Sequence, residues 1–158
     1  RGDPRNPPVI ADLMAKREAL VEMSAVSASL DAARRELDRT LRGVETVLET
    51  LGDDASTLRE QGQRLRDTLQ ALNRRLFTGP ECQGMCGGDA VADAIRGPAG
   101  RIMGETGGPS PNTMIMMNQA RAAATTVETE VAEVMSGAVS EYRAALRAAG
   151  YTPFGGSS

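Results

Sequence analysis

The stretch that decides the fold is residues 10–51, IADLMAKREALVEMSAVSASLDAARRELDRTLRGVETVLETL. Its apolar side chains recur at alternating steps of three and four residues, so most of them fall into two heptad positions. The first position holds Leu13, Leu20, Leu41 and Leu48, and the partner position holds Met23, Leu30, Leu37, Val44 and Leu51. The exceptions are Lys16, Ser27 and Arg34. A period near 3.5 residues over this length predicts one long helix in a coiled-coil-like bundle.

A second helix is predicted directly after the first, over about residues 54–77. Gly52 supplies a helix stop, and the acidic pair Asp53-Asp54 supplies an N-cap for the next helix. The seam of this helix is nearly all leucine: Leu58, Gly62, Leu65, Leu69, Leu72 and Leu76. Because the connection is so short, we expect the second helix to run antiparallel to the first and to form an αα-hairpin with it.

The composition changes at Thr78, where a glycine- and proline-rich crossover begins and continues to residue 111. This crossover holds nine of the 17 glycines and four of the eight prolines. We expect it to wrap the end of the bundle and to contain one or two short helices. The first is predicted over residues 89–96, with Gly97-Pro98 as its stop, and a weaker one over residues 99–105.

A closing helix is predicted over about residues 112–149, starting at Ser110 or Asn112 and ending at Gly150. Its apolar face is made of smaller residues than the leucine seams, which indicates close packing against the first two helices. This face consists of Met117, Ala120, Ala124, Val127, Val131, Val134 and Ala138.

The sequence therefore predicts an all-α fold with a single bundle domain, residues 10–150, built from three long helices. An extended arm, residues 1–9, precedes the domain because its prolines hold the backbone out of the helical region. A tail, residues 151–158, follows the domain, and within it Tyr151 and Phe154 are expected to fold back as an apolar cap.

The composition excludes several classes of chemistry. Aromatic residues make up only 3% of the 158 residues, which argues against a β-sandwich or barrel core. The chain has no histidine, so Ser-His-Asp and Cys-His catalysis, His-containing zinc sites and His-ligated haem are all excluded. No cofactor, metal or catalytic residue is predicted.

The charge pattern argues against two kinds of partner. The net charge is −3, and 17 arginines and the single Lys16 are dispersed among acidic residues. Without a basic stripe to neutralise phosphates, the chain is a poor candidate for nucleic-acid binding. No run approaches 18 apolar residues, so the chain is not expected to span a membrane.

Two cysteines, Cys82 and Cys86, lie in the glycine-rich crossover and are the only ones in the chain. We favour a disulfide between them, because the flanking glycines allow a tight ring. Two free thiols are the next alternative. A metal or redox site is the least favoured, since no further Cys or His completes a metal site and the spacing is not Cys-x-x-Cys.

Two further groups of side chains invite a functional interpretation. Met114, Ile115, Met116 and Met117 spread around more than half of a helical turn. They are either core plus an apolar helix end, or an adaptable surface for another protein, to which Tyr151 and Phe154 could also contribute. Glu128, Glu130 and Glu133 could be an acid/base pair or a calcium site, but a solvated helix face is favoured.

The order of these parts resembles a C-terminal helical region found in large bacterial secreted proteins. Those proteins carry sortilin-like propellers built from bacterial neuraminidase repeats and are often described as glycosyl hydrolases. The resemblance rests on Asp3-Pro4-Arg5, the long αα-hairpin, Gly97-Pro98-Ala99-Gly100, Ser110-Pro111-Asn112-Thr113 and Asn118-Gln119. It implies a helical region that follows a small β-sandwich, and it transfers no catalytic residue, because such a site would lie in the propeller. The cysteine loop is not part of the family pattern.

These observations lead to an expectation about function. We expect a non-enzymatic interaction module, an accessory or scaffolding subunit that docks on a larger envelope or membrane-bound assembly. A photosynthetic reaction-centre complex is one example, which the residues do not favour over others. The alternatives are a C-terminal accessory domain of a secreted sortilin-like propeller hydrolase and a self-associating coiled coil.

The expected location is the periplasm or the extracellular space, with the cytoplasm as the runner-up. The expectation rests on the cysteine pair and on the start at Arg1 without a methionine or a signal peptide. We interpret the chain as a processed fragment of a longer precursor.

Overall fold

The computed structural model describes residues 9–52, 55–78 and 91–154. Of these residues 88% are helical and none lies in a strand, so the all-α class is confirmed. The helices are α1 (Ile10–Thr50), α2 (Ser56–Asn73), α3 (Val91–Gly104), α4 (Pro111–Val134) and α5 (Ser140–Ala148). Two π-helical turns extend them: Arg74–Thr78 continues α2, and Met135–Val139 joins α4 to α5 without a break.

Helix α2 packs along the C-terminal half of α1 and runs antiparallel to it, as predicted. At its start, Arg59 Nη2 donates to the carbonyl oxygen of Leu51 at 2.8 Å. At its end, Asn73 Nδ2 donates to Asp38 Oδ1 at 3.3 Å. The helix begins at Ser56 with Ala55 in the N-cap position, two residues later than expected. Asp53 and Asp54 lie outside the described residues.

Helix α3 packs along the N-terminal half of α1, also antiparallel. Arg96 Nη2 lies 2.6 Å from Asp31 Oδ1, and Lys16 Nζ donates to the carbonyl oxygen of Met103 at 3.1 Å. Helix α3 also packs against α4. The arrangement of three long helices is therefore not confirmed, because the crossover contributes a fourth helix to the packing.

Helices α4 and α5 run parallel to α1 along its length. Arg121 of α4 forms an ion pair with Glu22, and Thr40 Oγ1 of α1 donates to Met135 Sδ at 3.5 Å. The residue numbers of both chain segments rise together, which fixes the parallel direction. One side of α1 thus faces α4 and α5. The other side faces α3 along its N-terminal half and α2 along its C-terminal half.

The predicted stop at Gly97-Pro98 is wrong, because α3 continues through both residues as one helix. Proline in a helix interior costs about 3 kcal/mol. The buried face of α3 offsets this cost, since Ile95 and Ile102 are both fully buried. Burial of an isoleucine side chain stabilises by about 1.5–3 kcal/mol. Pro98 itself is buried on the same face.

The predicted seam of α1 is confirmed at one heptad position and shifted at the other. The partner position is buried throughout, and Met23, Leu30, Leu37 and Val44 have no exposed surface. At the first position Leu20, Leu41 and Leu48 are only half-buried, and Leu13 is exposed. The second buried row lies one residue earlier, at Ala19, Ala33, Thr40 and Val47. The core-facing stripe of α1 is therefore centred closer to α4 than the heptad predicts.

The π-helical turn Met135–Val139 changes which residues of the closing helix face the core. A π turn adds one residue relative to an α turn, so the positions that follow it are shifted along the helix face. Ala138, predicted to be buried, is exposed, whereas Val139 is fully buried. The shifted face continues with Tyr142 and Leu146.

Residues 151–154, the described part of the C-terminal tail, fold back on the bundle, as predicted for Tyr151 and Phe154. Gly150 has φ of 82°, and Tyr151 N donates to the carbonyl oxygen of Leu146 at 2.9 Å, which ends α5 in a left-handed turn. The Phe154 ring then lies 6.2 Å from the Tyr142 ring. It packs directly on Gly43 of α1, where a Cβ would lie 2.7 Å from Phe154 Cβ.

Gly62 allows three helices to meet. A Cβ at this position of α2 would lie 2.5 Å from Tyr142 Oη and 2.8 Å from Leu48 Cδ2. Both neighbours are on other helices, so the absence of a side chain at Gly62 is what admits Tyr142. The Tyr142 hydroxyl is buried without a hydrogen-bond partner among the described residues, and this burial raises its pKa.

We predict that Gly62→Ala destabilises the protein by about 1–3 kcal/mol, because the clash with Tyr142 exceeds the gain in helix propensity of about 1 kcal/mol. Gly100→Ala in α3 is the matched control, since a Cβ there meets nothing within 4 Å. The control variant should gain up to about 1 kcal/mol. Urea unfolding followed by circular dichroism measures both, and equal effects of the two changes would contradict the packing argument.

Candidate interaction surface

Among the residues that the structure describes, the large apolar side chains that remain exposed lie at one end of the bundle. We call this set the apolar end: Val9, Ile10, Leu13, Met14, Val21, Met103, Met114 and Ile115. Five of them belong to the first turns of α1 or directly precede it, one ends α3, and two begin α4. The three segments meet because α3 ends, and α4 begins, beside the start of α1.

The exposure of this end is large. Ile10 is 75% exposed, Met103 65% and Val21 63%. Single exposed apolar residues are common on monomeric proteins, whereas these eight share one end of the described bundle. Covering these side chains would be favourable by about 25 cal/mol for each Å² of apolar surface removed from water.

The methionine run divides between core and surface. Met117 is 2% exposed and belongs to the core. Met116 is half-buried. Met114 and Ile115 are 46% and 55% exposed and lie at the apolar end. The run is therefore core at Met117 and an exposed apolar helix end at Met114 and Ile115, and its role as a surface for another protein stays a prediction.

Tyr151 and Phe154 do not join this surface. Both are half-buried and pack against the protein's own core. Phe154 contacts Gly43, far along α1 from the apolar end, and the Arg143 guanidinium lies 4.9 Å from the centre of its ring. The structure thus separates these two candidate contact residues from Met114 and Ile115.

A hydrogen-bonded junction fixes the connection between α3 and α4. Ser110 is the N-cap of α4, and its Oγ accepts from the backbone N–H of Thr113 at 3.3 Å. The Glu105 carboxylate accepts from the Ser110 N–H at 3.0 Å and from the hydroxyls of Ser110 and Thr113, each at 2.7 Å. The hydrogen bond from Thr113, followed by that from Ser110, lowers the pKa of Glu105 below its ordinary value.

Lys16 attaches this junction to α1. Its ammonium group donates to the carbonyl oxygens of Met103 at 3.1 Å and Glu105 at 2.5 Å. These carbonyls lie at the C-terminal end of α3, where a cation is favoured because helical carbonyls there have no intrahelical partner. The only lysine in the chain therefore interrupts the heptad seam in order to cap a neighbouring helix.

The described residues contain no cluster of side chains suited to metal binding. Within them, no group of three or more His, Cys, Asp or Glu side chains could hold a metal ion. Glu130 forms an ion pair with Arg75, while Glu128 and Glu133 are exposed on α4. Cys82 and Cys86 lie outside the described residues, so the disulfide stays a prediction.

Comparison with known proteins does not assign the chain to a family. No family model, curated protein or solved structure matches the chain. The resemblance to the sortilin-like proteins therefore remains a prediction from sequence. In the described part of the chain, none of the helices is long and apolar enough to cross a membrane.

Sequence reasoning found part of this surface and missed the rest. The run at residues 114–117 pointed to Met114 and Ile115. Ile10, Met14 and Val21 were missed because they lie outside both heptad positions of α1. The sequence signal that could have identified them is the presence of apolar residues on the side of α1 that the heptad pattern predicts to be exposed to solvent.

We predict that Glu105→Gln lowers the urea midpoint at pH 7, because the amide replaces one of the two accepting oxygens with an NH2 donor and loses the charge that strengthens the remaining hydrogen bonds. The pKa of Glu105 is lowered on folding, so its contribution is complete above the ordinary value of 4.5 and is lost as pH falls through the folded value. The difference between the wild-type and variant midpoints should therefore shrink as the pH is lowered from 7 through 4.5 and below. Glu128→Gln, at an exposed position of α4, is the control and should leave the midpoint at pH 7 unchanged.

Proposed function

We propose that the protein is a non-enzymatic interaction module that docks on a larger protein assembly through its apolar end. The observation that carries this proposal is the confinement of the exposed large apolar side chains to one end of the bundle. Its partner surface is apolar, because Met103, Met114 and Ile115 offer flexible or branched hydrocarbon rather than charge.

The junction beneath the surface supports a docking role. Glu105, Ser110 and Thr113 hold the end of α3 and the start of α4 in one geometry, and Lys16 ties both to α1. A preorganised surface loses less conformational entropy on binding than a flexible one. Met103 and Met114 are thus presented on a rigid base while their own side chains remain adaptable.

The proposed setting is the periplasm or the extracellular space, with an envelope or membrane-bound assembly as the partner. The Cys82-Cys86 pair supports this setting, because disulfides persist in oxidising compartments. A second candidate is an accessory domain of a secreted sortilin-like propeller hydrolase. The sequence motifs around Gly97 and Ser110 favour it, and it would use the same apolar end against its own neighbouring domains.

We predict that the protein co-purifies in stoichiometric amounts with a larger assembly when it is gently extracted from native membranes. Met114→Gln combined with Ile115→Gln should reduce recovery of that assembly about tenfold or more, because the polar glutamine side chains no longer pack against the apolar surface of the partner. The intact mass of the recovered chain should be lower by two hydrogens than the reduced form, as a Cys82–Cys86 disulfide requires.

Thr125→Gln combined with Thr129→Gln is the matched control, at two exposed positions farther along α4. The control should retain the partner. Recovery of the chain alone would contradict the docking proposal. Recovery as part of a much longer polypeptide that also has hydrolase activity would favour the accessory-domain alternative.

A further inference from the structure

Helix α1 carries a second apolar stripe on the face opposite its buried seam. We call it the outer stripe: Ile10, Met14, Val21, Ala25, Ala28 and Ala32. At 100° per residue these six positions share one side of the helix, and Met23 and Leu30 point to the other. All six are exposed, although Met14 and Val21 are among the larger apolar side chains of the protein.

The outer stripe is not needed by the fold. Met23, Leu30, Leu37 and Val44 already give α1 a fully buried seam. Beyond Ala32 the outward face becomes charged, with Arg35 and Arg39 in exposed positions. The apolar outward face is therefore limited to about the first six turns of α1, where it includes Ile10, the most exposed residue of the apolar end.

Charged residues border the stripe in a regular pattern. Arg17 and Arg35 lie along one edge, and Glu18 and Glu36 lie along the other. Each pair is separated by 18 residues, which is five full turns of an α-helix, so the edges keep the same side along its length. All four side chains are exposed, and none forms an ion pair with another of the residues described in the structure.

We propose that the outer stripe binds the outer stripe of a second copy of this chain, with the two α1 helices parallel. A two-fold axis along the helices places the basic edge of one copy against the acidic edge of the other. Arg17 then faces Glu18 of the second copy, and Arg35 faces Glu36 of the second copy. An antiparallel pair would instead set arginine edge against arginine edge, which is unfavourable.

The side chains of the stripe suit this pairing. Ala25, Ala28 and Ala32 are small and allow the two helices to approach closely. Ile10, Met14 and Val21 supply the apolar surface that pairing removes from water. Because two-fold symmetry repeats each contact, the four charged residues of each copy would form four ion pairs in the dimer.

The proposed pairing rests on the function of the protein as an interaction module, and it identifies a second copy of the chain as the molecule that binds the outer stripe. It uses only α1, whereas Met114 and Ile115 lie on α4. The two proposals can therefore fail separately, because charge changes at the edges of the stripe leave the α4 surface unaltered.

The test is sedimentation of the full chain with reversed edge charges. Arg17→Glu with Arg35→Glu makes both edges acidic, and Glu18→Arg with Glu36→Arg makes both edges basic. We expect the wild type to dimerise. The dimer dissociation constant of each double variant should be at least about tenfold higher, whereas an equal mixture of the two variants should form heterodimers. The chain with all four changes has its edges exchanged and should dimerise like the wild type.

Two controls separate pairing from folding and from net charge. Arg64→Glu with Arg66→Glu on α2 makes the same change in net charge at exposed or half-exposed positions and should not alter dimerisation. Met14→Glu with Val21→Glu should abolish dimerisation while the helical circular dichroism is retained, since both positions are exposed. A monomeric wild type at about 0.1 mM, or equal association of all the charge variants, would overturn the proposal.

Small-angle scattering tests the parallel direction. The 41 residues of α1 span about 60 Å, and a parallel pair should have nearly the same maximum dimension as one copy. Overlap of the stripes in an antiparallel pair would project the C-terminal halves in opposite directions and lengthen the particle. A lengthened dimer contradicts the proposed pairing. Partner capture that persists in monomeric variants would show that only the pairing had failed.

Discussion

The buried seam of α1 is the contact on which every other part of the bundle depends. Met23, Leu30, Leu37 and Val44 are all fully buried, and α2, α3 and α4 each pack against the helix that carries them. Helix α1 has 41 residues, whereas α2 has 18 and α3 has 14, so neither could cover one side of it alone. Two helices in succession are therefore required on that side. On the other side, α4, the π-helical turn and α5 form a continuous partner of nearly matching length.

Fitting such long helices together requires local adjustments where side chains are largest. Tyr142 of α5 and Phe154 of the tail lie near the C-terminal end of α1, and both rings need room that an unbroken pattern of alanines and leucines would not leave. Gly62 and Gly43 supply that room on two different helices, and the π-helical turn brings Val139 and Tyr142 onto the buried face. The cost is a buried tyrosine hydroxyl without a partner among the described residues.

The sequence predicts those parts of the structure that depend on regular spacing. One of the two α1 rows, the α2 seam, the hairpin and a start of α4 at Ser110 or Asn112 follow from apolar periods and capping residues. Helix α3 was predicted to stop at Gly97-Pro98, because local propensity says nothing about the burial of Ile95 and Ile102 that offsets the proline. The change in buried positions after Met135 could not be predicted from the sequence either. Whether a helical turn takes up one extra residue depends on the tertiary contacts that this residue improves.

The candidate surface, too, can be predicted from the local sequence only in part, and the rest requires the three-dimensional structure. Met114 and Ile115 were found because a run of four apolar residues cannot all face one core. The heptad seam is sufficient to predict that α1 is a helix, and it carries no information about the apolar residues outside its two positions, which form the outer stripe.

A helix needs one apolar face to join a bundle, and α1 has a complete one in its buried seam. A second apolar face adds nothing to intrachain packing and leaves hydrocarbon in water, so its stabilising contribution must come from contacts with another molecule. The borders of the stripe give that contact a direction, because arginines on one edge and glutamates on the other complement a parallel copy and oppose an antiparallel one. Met114 and Ile115 lie on a different helix and remain available when α1 is paired. A symmetric parallel dimer would therefore bury Ile10, Met14 and Val21 but leave Met103, Met114 and Ile115 of both copies exposed at the same end. A single assembly could then engage both copies at once with greater avidity than one.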